Sequence, residues 1–135
     1  MIATRRCARS RFQAAAAGFL LAAAVVLAPP AAARASPAAD LPPIAAAELP
    51  AEGREVLRKI QTGERLRYER DGVVFGNREK LLPPHPRGYY HEYTVPTPNV
   101  KGRGARRIVC GGPKQAPEAC YYSDDHYASF RRIRE

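Results

Sequence analysis

The sequence lacks tryptophan entirely and has only one methionine and three cysteines among its 135 residues. Three cysteines are too few for the dense disulfide framework that holds together small secreted scaffolds. Acidic residues are also scarce, with 13 Asp and Glu against 22 Lys and Arg, which gives a net charge of +9. No apolar run reaches the ~20 residues that a membrane-spanning helix needs. These features argue against an acidic chain and a disulfide-rich scaffold, and they disfavour a membrane-spanning helix.

The first third of the chain has the order of a secretory signal peptide. Four arginines between positions 5 and 11 precede an alanine-rich apolar run over residues 14–28, and small residues that suit cleavage follow at 31–35. A retained membrane anchor is disfavoured because the run is short. We therefore predict a signal peptide over residues 1–35, a secreted product without a membrane association, and a flexible Pro- and Ala-rich tail over residues 36–47.

Removal of the signal peptide changes what the charge and the cysteines imply. Residues 1–35 carry five arginines and no acid, so the remaining residues carry 17 basic and 13 acidic side chains, a net charge of +4. A nucleic-acid or other polyanionic partner suits this balance, whereas a binder that acts through charge alone is disfavoured. Two cysteines, Cys110 and Cys120, remain in an oxidising compartment, so a disulfide between them is expected. A metal site is disfavoured because further Cys or His ligands are missing nearby.

The remaining residues predict one α+β domain over 48–135. Leu49 and Pro50 begin a short helix with an apolar stripe, and Gly63 ends it. No helical period follows; short strands at hairpin spacing do, at 73–75 (as a buried strand), 89–95, 106–110, 120–122 and 126–133. We therefore expect one N-terminal helix packed on one face of a twisted antiparallel β-sheet, with the other face free for chemistry.

A strand of aromatic and β-branched residues, Tyr89–Val95, organises the domain. Alternation places Tyr89, His91, Tyr93 and Val95 on one face and Tyr90, Glu92 and Thr94 on the other. A carboxylate in the middle of such a strand calls for a partner or a function. A solvated edge-strand glutamate is the alternative.

Charged residues farther along the chain favour a function for Glu92. His126 offers an imidazole near neutral pH, and Arg103 and Arg107 offer donors to phosphate oxygens. A carboxylate base, an imidazolium acid and two arginines are sufficient to cleave a phosphodiester that has a neighbouring 2′-hydroxyl, without a metal or cofactor. Each residue taken alone has a structural explanation, and sequence distance leaves open whether they meet.

Four stretches of the chain together resemble a known family. DGVVFGNRE (Asp71–Glu79), GYYHEYTV (Gly88–Val95), RGARRI (Arg103–Ile108) and DDHYASF (Asp124–Phe130) are similar to the guanyl-specific microbial ribonucleases, the barnase-like group, and in particular to its small secreted Streptomyces-type members. The resemblance covers nearly the whole chain from Leu49 onward, in the same order.

The resemblance implies roles for individual residues. Glu92 matches the family's general base, His126 its general acid, and Arg103 and Arg107 its phosphate-binding arginines. Tyr127 resembles the tyrosine that contacts the phosphate.

A second group of residues resembles the family's guanine-reading segment. Glu79 matches the carboxylate that accepts hydrogen bonds from guanine N1 and N2, and the backbone amides of Asn77 and Arg78 resemble those that reach O6. Phe75 resembles the aromatic platform under the base. Gly76 departs from the larger polar residue that relatives often carry, and the cysteine pair lies across a hairpin, whereas these relatives tie their termini together.

The sequence thus predicts a secreted, metal-independent endoribonuclease that cleaves single-stranded RNA 3′ of guanosine, through a 2′,3′-cyclic phosphate. We expect no cofactor and a monomer; the resemblance implies an intracellular inhibitor of the barstar type. The alternative is a non-catalytic module of the same fold that binds RNA or an inhibitor. A toxin aimed at competing cells is a further alternative, although no delivery domain is recognisable.

Overall fold

The computed structural model describes residues 40–135, which form one helix and a six-stranded sheet. The predicted signal peptide over residues 1–35 and the start of the predicted tail lie outside the described residues. Within 40–135, no helix has the length and apolar character required to cross a membrane.

Helix α1 spans Ala51–Thr62 and confirms the predicted helix. Pro50 precedes its first turn, where its fixed φ suits the helix start. Gly63 ends it in the left-handed conformation, with φ of 70°, and its N–H donates back to the carbonyl oxygens of Lys59 and Ile60. The buried stripe of the helix, Val56, Leu57 and Ile60, packs against the sheet.

The strands are β1 (Pro43–Ala45), β2 (Val73–Val74), β3 (Tyr90–Thr94), β4 (Arg107–Gly111), β5 (Ala119–Ser123) and β6 (Arg131–Arg134). Their order in the sheet is β1-β6-β5-β4-β3-β2. All neighbouring strands are antiparallel except β1 and β6, which run parallel. The α+β class with one helix on a mostly antiparallel sheet is therefore confirmed.

Three details of the sequence interpretation are wrong. Residues 43–47, assigned to a flexible tail, belong to β1 and to a single 3-10 turn that ends at Glu48, because Ile44 is buried opposite Ile133 of β6. The strand at 73–75 was expected to be buried, but it is the two-residue edge strand β2, with Val73 and Val74 exposed. Of the strand expected over 126–133, only residues from Arg131 onward pair, and 124–128 form bends and a turn.

The sheet buries a different cluster on each face. Alternation along the strands divides the apolar residues between them. The helix-face cluster consists of Ile44, Leu49, Val56, Leu57, Ile60, Tyr93, Val95, Ile108, Cys110, Cys120 and Tyr122. The cleft-face cluster consists of Leu82, Tyr90, Val109, Tyr121 and Phe130. Cys110 and Cys120 are direct partners across β4 and β5 and form the predicted disulfide.

Candidate active site

The centre of β3 places Glu92 on the face opposite the helix. It lies between Val73 of β2 and Val109 of β4 in the register and is only 9% exposed. The nearest cation is the Nη2 atom of Arg103, 3.8 Å from Glu92 Oε1. The Tyr127 hydroxyl is another polar neighbour of Glu92, and the 3.8 Å contact with Arg103 is an ion pair that leaves the carboxylate without a hydrogen bond from this guanidinium. Its oxygens are therefore available to accept a proton.

Two arginines are oriented at the Thr94 end of β3. Arg103 donates from Nε (2.9 Å) and Nη2 (2.7 Å) to the hydroxyl of Thr94, the residue two positions from Glu92. Arg107, the first residue of β4, is only 3% exposed. Its Nη1 donates to the carbonyl oxygens of Gly104 and Arg106, each at 2.8 Å. The fixed guanidinium of Arg107 thus holds the turn that carries Arg103.

The turn after β5 positions His126 and Tyr127 in an unusual backbone conformation. Their φ values are 55° and 69°, in the left-handed region that side chains other than glycine rarely adopt. The His126 N–H donates to the carbonyl oxygen of Ala105 (3.1 Å), and the Tyr127 N–H donates to Ser123 Oγ (3.0 Å). Such conformations persist only where neighbours enforce them, and they cluster at functional sites. The turn thereby attaches His126 to the Arg103–Arg107 segment.

The carboxylate of Asp125 anchors this turn. It accepts hydrogen bonds from the Ser123 hydroxyl (2.9 Å), the Ser129 N–H (2.9 Å) and the Ser129 hydroxyl (2.5 Å). The bonds from Ser129, chiefly, lower the pKa of Asp125 below its usual value, so the anchor keeps its charge.

Tyr127 links the separate parts of the site. Its hydroxyl accepts a hydrogen bond from Arg107 Nε at 3.0 Å, its ring lies 5.0 Å from that of His126, and Phe75 stacks on it at 5.3 Å. Burial, with the Glu92 carboxylate adding to it, raises the pKa of Tyr127, so the phenol stays protonated. It can therefore donate to an anionic oxygen beside Glu92.

A cleft of about 380 Å³ extends from Glu92 and Tyr127 along the 74–81 segment. Its wall includes Phe75 and residues 76–79. The side chain of Asn77 bonds twice to the backbone of Leu82, through Nδ2 (2.9 Å) and Oδ1 (3.1 Å), and fixes this loop. Within the described chain, the backbone N–H groups of residues 77–79 donate to no other group. They are free to bind a ligand in the cleft, beside the exposed carboxylate of Glu79.

The structure brings the predicted residues into one connected region. Glu92, Tyr127 and all four residues of the predicted guanine-reading segment line the cleft, whereas His126, Arg103 and Arg107 lie beyond its lining, at the Thr94 end of β3. Two arginines that the sequence analysis did not select, Arg70 and Arg87, also line it. Both lie in turns without a recognisable motif, so only their basic charge could have marked them.

Comparisons with known proteins find related sequences. A family model described as ribonuclease matches residues 32–134. The chain is 51% identical over 90 residues to guanyl-specific ribonuclease Sa3 of Kitasatospora aureofaciens, which spans 67% of this chain and 62% of that protein. It is 46% identical over 90 residues to guanyl-specific ribonuclease Sa of the same organism, 67% of this chain and 91% of that one. The chain thus spans less than two thirds of the length of the first relative.

Solved structures of ribonuclease Sa2 are similar to this chain in both sequence and fold. A structure of ribonuclease Sa2 in complexes with mononucleotides superposes with a TM-score of 0.66 at 43% identity, over 71% of this chain and 96% of that one. A structure of ribonuclease Sa2 with 3′-GMP superposes with a TM-score of 0.62 at 44% identity, over 70% and 97% of the two chains.

Proposed function

Because this chain belongs to the guanyl-specific ribonuclease family, we propose that it is an endoribonuclease that cleaves single-stranded RNA on the 3′ side of guanosine. The observation that carries this proposal is the position of the Glu92 carboxylate, which lines the cleft and lies 3.8 Å from the oriented guanidinium of Arg103. The product is a 2′,3′-cyclic phosphate, which the same groups then hydrolyse more slowly. The reaction needs no metal or cofactor.

In the first step Glu92 removes the proton from the 2′-hydroxyl of the guanosine. The 2′-oxygen attacks phosphorus, and His126, as the imidazolium, donates a proton to the departing 5′-oxygen of the next nucleotide. Arg103 and Arg107 bind the phosphate oxygens, on which charge increases in the transition state. Hydrogen bonds to Thr94 and to backbone carbonyls hold both guanidinium groups in place before the substrate arrives. The Tyr127 hydroxyl donates to the same phosphate.

In the second step the roles of acid and base reverse. His126 removes a proton from water, which attacks the cyclic phosphate, and Glu92 returns a proton to the 2′-oxygen. The product is a guanosine 3′-phosphate end.

Guanine is read at the far part of the cleft. Phe75 supports the face of the base, Glu79 accepts hydrogen bonds from N1 and N2, and the amides of Asn77 and Arg78 donate to O6. Adenine lacks the two adjacent donors. The free amides and the loop fixed by Asn77 support this assignment, because the donors are oriented before binding.

We propose further that the protein is exported as a monomer and that its producer holds an acidic inhibitor of the barstar type. Such an inhibitor places a carboxylate among Arg103, Arg107 and His126. Inorganic phosphate and the inhibitor then compete, and independent binding of both in a titration contradicts this geometry.

The direct test is incubation of the purified protein with short single-stranded RNAs in EDTA, followed by mapping of the cut ends. We expect cuts after guanosine with cyclic phosphate termini. Binding without cleavage supports a non-catalytic module instead, and loss of cleavage in EDTA contradicts metal independence.

A further inference from the structure

A pair of stacked aromatic rings, of which His85 is exposed and Tyr89 is half-buried, lies in the loop that leads into β3. The imidazole of His85 lies parallel to the ring of Tyr89, with the ring centres 3.7 Å apart and the planes inclined by only 10°. Tyr89 covers one face of the imidazole, the ring of Tyr90 meets it nearly perpendicularly at 5.7 Å, and the rest of the His85 ring is exposed to solvent. Neither residue has a role in the proposed reaction.

The surrounding residues hold this pair rigidly. The Tyr89 hydroxyl donates to Glu118 Oε2 (2.9 Å), and its ring lies over Gly111, where any side chain would collide with it. His85 stands between Pro84 and Pro86, which restrict the backbone of the loop. The loop is tied down where the Tyr90 hydroxyl donates to the Pro83 carbonyl oxygen at 2.7 Å. A ring ordered in advance binds a stacking partner at a lower entropic cost.

Arg87 connects this pair to the cleft. It follows His85 by two residues, lines the cleft beside Leu81, and is exposed. Within residues 40–135 it makes no ion pair and no side-chain hydrogen bond. An unpaired guanidinium that lines the cleft, two residues from an exposed imidazole, matches a nucleotide, which has both a π-face and a phosphate.

The order of groups along β3 indicates which nucleotide fits. Tyr89 precedes the first residue of β3, Phe75 bonds to Tyr90, Glu92 is in the middle, and Arg107 pairs with Thr94 at the end. Tyr89 and Thr94 are five residues apart, roughly 17 Å along a strand. The nucleotide 3′ of the scissile bond leaves beside the general acid, at the Thr94 end. The Tyr89 end remains for the nucleotide that precedes the guanosine.

From these observations we infer that His85, supported by Tyr89, and Arg87 form a subsite for the nucleotide 5′ of the cleaved guanosine. The base of that nucleotide stacks on the open face of His85, and Arg87 binds the phosphate that joins it to the guanosine. Stacking accepts any base, so the subsite adds affinity for longer RNA without adding a sequence requirement. The inference rests on the proposed function, since it needs guanosine in the cleft.

The test compares kcat/KM for four substrates: GpU, pGpU, ApGpU and the same trinucleotide with an abasic first residue. In the wild type we expect the 5′-phosphate alone to raise kcat/KM roughly two- to fivefold, as for an exposed ion pair. The adenine base should raise it a further fivefold or more, roughly the lower end of base–aromatic stacking.

Each variant is judged by the ratios between substrates. His85→Ala should abolish the advantage of ApGpU over its abasic analogue, and His85→Phe, which keeps a ring, should retain it. Arg87→Ala should abolish the advantage of pGpU over GpU. Arg67→Ala removes an exposed arginine that lies over Tyr68 outside this cleft, and it should leave both ratios unchanged.

The outcomes separate the subsite from the activity itself. If GpU is not cleaved, the proposed function fails. If GpU is cleaved but ApGpU is no better than its abasic analogue, or if the advantage survives His85→Ala, the subsite is refuted. A loss confined to substrates extended on the 3′ side would also overturn the assignment.

Discussion

The two faces of the sheet use the same strands for different purposes. On the helix face, β4 contributes Ile108 and Cys110 to a closed cluster that includes the disulfide. On the cleft face, the same strand contributes Arg107 and Val109, beside Glu92 of β3. The helix face contains the buried residues of α1, whereas the cleft face leaves charged groups partly free. Alternation along a strand thus separates residues that stabilise the fold from residues that are free to act on a substrate.

The cleft face also contains features that lower the stability of the fold. It holds a buried arginine, a largely buried carboxylate, and two consecutive residues in the left-handed conformation, His126 and Tyr127. Each such backbone position costs on the order of 1–3 kcal/mol. The helix face, with its apolar cluster and its covalent link, offsets these costs. Substitutions on the helix face should therefore lower stability more than activity, and substitutions on the cleft face should lower activity more than stability.

The largest expected effect is on the cleft face. Glu92→Gln and His126→Ala should each lower turnover by a factor on the order of 10² to 10⁴, because each removes a group that transfers a proton. The free energy of unfolding, from urea titration, should fall little. The pH–rate profile of the wild type should be bell-shaped, with a mildly acidic to neutral maximum. A rate that rises steadily into alkaline solution, or near wild-type rates in both variants, would contradict the acid and base roles.

Arg107 lies on the cleft face but is expected to contribute to stability as well as to activity. Arg107→Ala should lower kcat/KM by roughly 10²- to 10³-fold through lost transition-state stabilisation. It should also lower the free energy of unfolding by about 1–3 kcal/mol, because its carbonyl and Tyr127 partners lose their donor. The neighbouring Arg106 points toward Glu52 of α1 (4.0 Å), so Arg106→Ala is the matched control. Equal effects of the two variants on kcat/KM would contradict a role for Arg107 in the active site.

The disulfide provides a test of how much the helix face contributes to stability. Cys110 and Cys120 are 10 positions apart, and closing a loop of this length should stabilise the protein by roughly 2–3 kcal/mol. Chemical denaturation of the oxidised and the reduced protein measures the difference. Alkylation without prior reduction should label neither cysteine. Activity under conditions where both forms are folded should be similar; a large loss on reduction would mean that the two faces are coupled.

Specificity should depend on Glu79, on the cleft face. Glu79→Ala should reduce the preference for GpN over ApN dinucleotides by roughly tenfold to a hundredfold, since a recognition carboxylate left unpaired costs about 1–3 kcal/mol. The structure leaves this carboxylate exposed before the base binds, so the protein's stability should not change. Glu69→Ala, in an exposed turn outside the cleft, is the control. A proportional loss on both dinucleotides would indicate a role other than base reading.

The smallest effect concerns His91, which has a buried Nδ1 atom without a hydrogen-bond partner among residues 40–135. Burial, and secondarily Lys114, lowers the pKa of His91 below its ordinary value of 6.5. The unfolded state therefore binds the proton more readily than the folded state does. The free energy of unfolding is unaffected by His91 above about pH 6.5 and decreases as the pH falls below it, toward the lower pKa of the folded state. The free energy of unfolding should decrease less between pH 7.5 and 5 in His91→Gln than in the wild type. Identical slopes would contradict this role.

Much of the architecture was predictable because it depends on local patterns. The apolar stripe and Gly63 predicted helix α1, and alternation correctly placed Glu92 opposite the helix. Alternation was wrong for Tyr89, which precedes β3 and packs against the cleft-face cluster. The edges of the sheet were not predictable in the same way. Ile44 is a single apolar residue among prolines and alanines, and only the partner strand β6 makes it a core residue.

The candidate site likewise has features that local patterns predict and features that depend on long-range contacts. The sequence determined by itself which chemical groups are present, the order in which they occur and the face of each strand that carries them, because side-chain alternation is a property of the local backbone. Only the tertiary structure decided that His126 lies in a left-handed turn held by Ala105, and that Arg87 borders the cleft. These placements depend on contacts between segments far apart in the chain, and no local pattern encodes such contacts.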